Sequence, residues 1–241
     1  MIDGEGGLPV TVAGLFGATY SLYVRRFGLY ALLALAALGV EYVVDVELLQ
    51  DTGLAIGLNI IVGSFLAATV SIGVAFDLAR KPADWSTIVT AASLRWGVVA
   101  AVALVSQLVF MLFEPYVVLP PEETGYGLLL LPFIALWGAI GIAEVVAAIE
   151  PTKSRLTLPL RALGKALAVS GRFANVGRLL LLSMVMCLPL FAENVLYAHL
   201  QTRGIAHAGF WASMPIDALA AGPLQALATI FYIDFLRRAK R

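Results

Sequence analysis

The chain has 241 residues, of which 61% are hydrophobic and 13% are charged, and its mean hydropathy is +0.91. An average soluble domain is about half apolar and about a quarter charged, so this composition excludes an ordinary soluble protein and predicts an integral membrane protein. The formal net charge is zero, and the single Cys187 excludes a disulfide within the chain. We expect one membrane domain over residues 1–241. Because residues 1–9 contain no basic side chain, we expect no cleaved signal peptide.

The first predicted unit is a surface helix followed by two spans. Apolar and aromatic residues at helical spacing predict an interfacial helix over 11–26, which ends at Arg25 and Arg26. The apolar run at 27–46 is long enough to cross about 30 Å of hydrocarbon at about 1.5 Å per residue. After an acidic connection without Lys or Arg, we expect a second span at 53–76.

The second predicted unit has the same order of elements. Asp84 is a suitable N-cap for an interfacial helix over 84–95, which ends at Arg95. Span three is expected at 97–119 and, after an acidic turn broken by two prolines, span four at 126–149. By this point the chain would have crossed the membrane four times.

The third predicted unit contains the clearest amphipathic helix, over 155–173. On a helical wheel its leucines form one narrow stripe, made of Leu156, Leu160, Leu163 and Leu167. The opposite face carries three cations, Arg161, Lys165 and Arg172. Such a helix places its leucines among acyl chains and its cations among headgroups. Spans five and six are expected at 176–197 and 213–236.

The basic residues predict the orientation of the chain. If the N-terminus lies inside, Arg203 is the only one of the 16 Lys and Arg residues on the far side. The positive-inside rule then places both termini in the cytoplasm.

The three units together predict an all-α membrane fold of six spans, built from three parallel repeats of an interfacial helix and a two-span hairpin. The hairpins begin in a similar way, with Arg26-Phe27-Gly28, Arg95-Trp96-Gly97 and Arg172-Phe173-Ala174. The alternative is that any multispan protein with a basic cytoplasmic rim shows this pattern.

Three stretches of the sequence are similar to a known family. They are 19–28 (Thr-Tyr-Ser-Leu-Tyr-Val-Arg-Arg-Phe-Gly), Glu150 with the Ala-, Leu- and Arg-rich segment that ends at Ser170-Gly-Arg-Phe173, and 230–238 (Ile-Phe-Tyr-Ile-Asp-Phe-Leu-Arg-Arg). Together they resemble the bacterial membrane domain that is associated with glycerophosphoryl diester phosphodiesterases, and its stand-alone relatives of unknown function. The resemblance implies six spans in the bacterial cytoplasmic (inner) membrane. It implies no phosphodiesterase activity, because that chemistry belongs to a separate soluble barrel. Pro159 departs from the pattern and would interrupt the third interfacial helix.

Two carboxylates at the predicted cytoplasmic ends of spans two and six stand three residues before an arginine, Asp77 before Arg80 and Asp234 before Arg237. This spacing predicts ion pairs within each helix. We favour a role in fixing the depth of each helix over a catalytic dyad.

The sequence contains no recognisable catalytic set. His199 and His207, with Cys187 in a different environment, cannot form a zinc site, which needs four closely spaced ligands or three and a water. A phosphate-binding loop is excluded as well, because Gly164-Lys165 is not followed by Ser or Thr. We therefore expect no enzyme activity, no catalytic residue, no metal, no cofactor and no nucleic-acid partner.

We single out four of the polar side chains within the predicted spans, because a polar group there must find a partner or line a cavity. Gln107 and Gln225 lie near the middle of their spans and predict interhelical hydrogen bonds or, alternatively, the lining of a polar cavity. Asn59 begins a seam of small residues that would let another helix or a second copy approach closely. The seam continues through Gly63, Ala67, Ser71 and Ala75. Glu144 is the acidic side chain that we single out as a functional candidate.

The sequence predicts function less directly than fold. We expect a non-catalytic membrane module that binds anionic lipid headgroups or a protein partner, or that forms a homo-oligomer. The headgroup contacts would be made by six cations, Arg25, Arg26, Arg95, Arg161, Lys165 and Arg172. The alternative is a transporter or lipid-translocating protein, whose polar path would be lined by Gln107, Glu144 and Gln225. An intramembrane enzyme is the third and weakest interpretation.

Overall fold

The computed structural model describes residues 11–48, 53–117, 127–150 and 158–239. Within these ranges the backbone is helical apart from short turns, so that each helix satisfies its own backbone hydrogen bonds, as a bilayer requires. In chain order the helices are α1 (Val12–Arg25), α2 (Phe27–Glu41), α3 (Gly53–Leu78), α4 (Trp85–Val117), α5 (Gly127–Ile149), α6 (Leu158–Ser170), α7 (Phe173–Thr202) and α8 (Ala208–Ala239). The end of α2 continues as a π-helix over Tyr42–Leu48.

Five helices are long and apolar enough to cross a membrane. Their spans are Phe27–Val44, Gly57–Leu78, Trp85–Leu108, Phe173–Thr202 and Ala208–Ala239. In α5 the apolar segment with described side chains is Ile134–Ile149, which is shorter than a full span. The chain is therefore an all-α, multi-pass membrane protein with five candidate spans among the residues described. A sixth span, in α5, stays a prediction.

The N-terminus of α4 is fixed by a side-chain cap. The Asp84 carboxylate accepts a hydrogen bond from the Thr87 amide at 2.8 Å and a second one from the Ser86 hydroxyl at 3.1 Å. The hydrogen bonds with Thr87, followed by the one with Ser86, lower the pKa of Asp84 below its usual value.

Beyond this cap, α4 differs from the prediction. We expected an interfacial helix that ends at Arg95 and a separate span from residue 97, but α4 is one continuous helix of 33 residues. A lone Gly97 costs a helix only about 1 kcal/mol, and the next proline, Pro115, lies near the far end of α4. The neighbouring Trp96 indole also donates a hydrogen bond at 2.5 Å to the Ile61 carbonyl oxygen of α3, which holds this part of α4 against its neighbour.

The chain does break between α1 and α2 and between α6 and α7. Arg26 leaves helical geometry, with φ −119° and ψ 21°, and Arg172 is extended, with φ −66° and ψ 136°. Pro159 was expected to interrupt the third interfacial helix, but it lies in the first turn of α6, where a missing backbone N–H breaks no helical hydrogen bond. Residues 155–157, the predicted start of that helix, lie outside the described ranges.

Helices α3, α5 and α8 form the centre of the bundle. In α8 every residue from Gln225 to Phe235 is buried, and Tyr232 is fully enclosed. Helix α1 packs against α8, and α6 packs against α5. By contrast, Leu188 and Phe191 on the outer face of α7 are exposed, as expected for side chains that face lipid.

Candidate functional site

One end of the bundle is held together by ion pairs between helices. The Arg26 guanidinium, at the start of α2, binds both carboxylate oxygens of Asp77, at the end of α3, at 2.7 and 2.8 Å. A third Arg26 nitrogen donates to the Ala83 carbonyl oxygen at 3.0 Å. Only 12% of the Arg26 side chain and 13% of the Asp77 side chain are exposed. The hydrogen bonding of Arg26 to the Asp77 carboxylate is the main reason why the pKa of Arg26 is raised.

A second group of ion pairs joins α7 to α8. Asp234 is buried and forms ion pairs with Arg178 of α7 and, at 3.0 Å, with Arg238 one turn further along α8. The predicted i,i+3 partners were therefore not the ones found for Asp77 and Asp234. Arg80 has a positive φ of 52° just beyond the end of α3, so the helical spacing on which that prediction depended does not extend to it.

A third group surrounds Glu150, immediately after α5. Its carboxylate accepts hydrogen bonds from Lys165 of α6 at 2.8 Å and from the Tyr232 hydroxyl of α8 at 2.7 Å. Partial burial alone would raise the pKa of Glu150, but the hydrogen bonds from Lys165 and Tyr232 outweigh burial, and the pKa is lowered. Glu150 thereby ties α6 to the centre of the bundle.

These three groups define what we call the basic end, the end of the bundle that holds Arg26, Lys165 and Arg178. The opposite end has a different character. There Tyr42 packs on Phe210 with 5.4 Å between ring centroids, and the Ser213 hydroxyl donates to Glu41 at 3.4 Å. The bundle therefore has one end rich in cations and one end where aromatic and acidic side chains meet.

The six predicted headgroup contacts fall into two classes at the basic end. Arg26 and Lys165 are bound to carboxylates. Arg172 is exposed and donates one hydrogen bond, at 2.8 Å, to the Ala239 carbonyl oxygen. Arg25 and Arg161 are exposed, and Arg95 is partly exposed on α4. The exposed cations are therefore the better candidates for contact with lipid.

Large apolar side chains stand beside the exposed cations. Phe27, next to the α1–α2 break, is 57% exposed, and Phe173, next to the α6–α7 break, is 98% exposed. Leu160, which neighbours Arg161 on α6, is 74% exposed. A soluble protein would gain by burying such side chains, whereas at a membrane interface they reach the acyl chains below the headgroups.

A cavity of about 270 Å³ lies inside the bundle, between α3, α5, α7 and α8. Carboxylates from three helices line it, namely Glu144, Glu193 and Asp217. Gln225 also reaches it, and its amide donates a hydrogen bond at 2.9 Å to the Ser71 hydroxyl of α3. Carboxylates inside a membrane bundle are costly unless they are paired or hydrated, so their convergence marks this cavity as a functional candidate.

The cavity brings together only some of the intramembrane polar residues singled out from the sequence. Glu144 and Gln225 line it, whereas its described lining includes neither Asn59 nor Gln107, which are partly exposed on α3 and α4. In the small-residue seam of α3, Gly63 and Ala67 line the cavity, and Ser71 holds Gln225. Much of this seam therefore serves contact within the molecule.

Glu193 and Asp217 were missed in the sequence analysis. Both lie inside apolar helices, and a count of acidic residues within the predicted spans would have found them. That they share a cavity with Glu144 could not have been found in this way, because it depends on how α5, α7 and α8 are rotated about their axes.

Within the described ranges, no three His, Cys, Asp or Glu side chains are placed to hold a metal ion. In comparisons with known proteins, no family model, no curated protein and no solved structure matches this chain. The resemblance to the membrane domain associated with glycerophosphoryl diester phosphodiesterases therefore stays a prediction.

Proposed function

We propose that this chain is a non-catalytic membrane module of six spans that binds anionic lipid headgroups at its basic end, with that end and both termini on the cytoplasmic side of a bacterial inner membrane. The observation that carries the proposal is the pairing of exposed cations with exposed apolar side chains at two helix breaks. Arg25 and Phe27 flank the first break, whereas Arg172 lies in the second break and Phe173 directly follows it. The second repeat would be the least regular one, because α4 continues through the equivalent position.

The cations of the basic end have two different roles, and this difference supports the proposal. Arg26 and Lys165 anchor α2 and α6 to the bundle through ion pairs, which leaves the neighbouring Arg25 and Arg161 directed outward. A Lys or Arg near an anionic membrane surface contributes about 1 kcal/mol of attraction. The exposed Leu160 adds an apolar contact beside Arg161. The basic end thereby combines charge attraction with insertion of apolar groups into the membrane.

The proposal is tested by measuring which lipids surround the protein in reconstituted bilayers. Spin-labelled phosphatidylglycerol and phosphatidylcholine report the fraction of each lipid that the protein immobilises. We expect the wild type to prefer phosphatidylglycerol and the double variant R25Q/R161Q to lose most of that preference. The matched control R25K/R161K keeps both charges and should keep the preference. If the R25Q/R161Q variant preferred phosphatidylglycerol as strongly as the wild type does, a role of Arg25 and Arg161 in headgroup binding would be rejected.

The cavity favours a second candidate function, the passage of a small cation. Glu144, Glu193 and Asp217 would provide carboxylates along such a path. Uptake of K⁺ or H⁺ into proteoliposomes, followed with fluorescent dyes, tests it. We expect flux in the wild type and in the control E47Q, whose exposed carboxylate lies outside the cavity, and loss of flux in E144Q/E193Q/D217N. Flux of neither ion in the wild type, or equal flux in the triple variant, would reject this function.

A further inference from the structure

A separate crevice of about 310 Å³ opens at the basic end between α3, α4 and α5. Four alanines line it: Ala75 of α3, Ala79 in the turn just after α3, Ala91 of α4 and Ala148 of α5. Their small side chains leave the space between the helix ends unfilled. The volume lies at the lower limit of ordinary small-ligand pockets, which measure about 300 to 1,000 Å³. We call it the alanine crevice.

Two cations reach the alanine crevice, Lys81 from the turn after α3 and Arg95 from α4. Among its described lining residues there is no carboxylate. The crevice therefore combines an apolar wall with a positively charged rim.

The position of the crevice favours a lipid over a water-soluble anion as its ligand. Apart from Ala79, its apolar residues belong to the spanning segments of α3 and α4 and to the apolar part of α5, so the pocket lies where a span meets the headgroup region. Leu94 lines it and is 62% exposed, which provides an apolar surface from the pocket to the outside of the bundle. A free phosphate would meet the two cations but would gain nothing from this apolar surface. A phospholipid uses both, as basic pockets between spans do in general.

We infer that the alanine crevice is a binding site for one anionic phospholipid, with the phosphate between Lys81 and Arg95 and an acyl chain along Leu94. This inference rests on the proposed function, because it adds one defined site to the basic end, which is proposed to bind anionic headgroups. It differs from that function in its residues, as neither Arg25 nor Arg161 lines the crevice. It also differs in stoichiometry, since a defined site retains one lipid.

Native mass spectrometry tests the site on the full chain, released from nanodiscs that contain phosphatidylglycerol and phosphatidylcholine. We expect the wild type to retain one phosphatidylglycerol. Each charge removed should reduce this retention about fivefold, once in K81Q and twice in K81Q/R95Q. The matched control R80Q removes an exposed charge from the same turn outside the crevice and should retain the lipid. A thermal unfolding midpoint for each variant, measured in the same detergent, shows that loss of lipid is not loss of fold.

A second variant tests the pocket without changing its charge. A91F fills the crevice with an aromatic ring and leaves both cations in place, so we expect it to exclude the lipid as well. Retention in both K81Q/R95Q and A91F equal to that of the wild type would overturn the inference. Displacement of the lipid by millimolar inorganic phosphate would also overturn it, because it would indicate a phosphate site without acyl contact. If R25Q/R161Q still loses the general lipid preference in that case, the proposed function stands and only the defined site fails.

Discussion

At the scale of single residues, the contacts of each cation at the basic end indicate its role. Arg26 and Asp77 are almost enclosed, and each satisfies the other's charge with a bidentate hydrogen bond. Arg25, one position earlier, is exposed. Two adjacent arginines therefore have different roles, one in holding helices together and one in facing the surroundings, and sequence position alone did not separate them.

Removing one partner of the Arg26–Asp77 pair should destabilise the fold. R26Q leaves the Asp77 carboxylate without its bidentate partner in a mostly buried place, and we expect a loss of about 2 to 3 kcal/mol in the free energy of unfolding. The double variant R26Q/D77N removes both charges and should recover part of this loss. Denaturant unfolding in detergent measures both. The neighbouring R25Q should lie within about 0.5 kcal/mol of the wild type, and a similar loss in R25Q and R26Q would contradict the assigned roles.

The Glu150–Lys165 pair should make the stability of the bundle depend on pH. The pKa of Glu150 in the folded chain lies below its ordinary value of 4.5. Its contribution is therefore fully present above about pH 4.5 and is lost as the pH falls through the lower folded pKa. We expect the wild type to exceed E150Q by about 1 kcal/mol at pH 7 and the difference to vanish in acid, as followed by thermal unfolding from pH 7 to pH 3. A difference that stays constant over this range would contradict the prediction.

At the scale of helices, sequence patterns predict where apolar helices and caps occur better than they predict which residues of different helices are in contact. The apolar runs of α2, α3, α7 and α8 and the cap at Asp84 follow from local rules. The continuity of α4 does not, because the hydrogen bond from Trp96 to Ile61 joins two helices whose relative rotation the sequence does not specify. The same reason explains why the pairing of Asp77 with Arg26 and of Asp234 with Arg178, each across two helices, was not predicted.

Close helix packing at Gly138 gives a prediction at this scale. A Cβ atom at Gly138 of α5 would collide with the Ser183 side chain of α7, whose hydroxyl already donates to the Leu179 carbonyl oxygen at 2.7 Å. We expect G138A to destabilise the bundle by about 1 to 3 kcal/mol in denaturant unfolding. The control G177A makes the same change on α7 at a position with nothing within 4 Å, and it should stabilise by up to about 1 kcal/mol. Equal shifts in the two variants would mean that α5 and α7 do not approach closely at Gly138.

At the scale of the whole molecule, the two ends of the bundle differ in a way that fits a fixed orientation. The basic end gathers the ion pairs of Arg26, Lys165 and Arg178, the exposed cations and the alanine crevice. Arg203 lies at the other end, in the turn between α7 and α8. Composition alone led to the membrane class, which the five apolar helices confirm. The internal cavity and the crevice could not be predicted, because each is formed by helices distant in sequence.

The orientation can be tested by labelling single cysteines in bacterial cells. In a C187A background, P82C and I205C place one thiol in an exposed turn at each end of the bundle without changing any charge. Because cations resist transfer across the membrane, we expect a membrane-impermeant maleimide to label I205C in intact cells and to label P82C only after permeabilisation. As a control, both cysteines should be labelled after the protein is reduced and denatured, which shows that neither thiol is chemically blocked. The opposite pattern would place the basic end outside, away from the anionic cytoplasmic surface, and would remove the basis for a lipid site at that end.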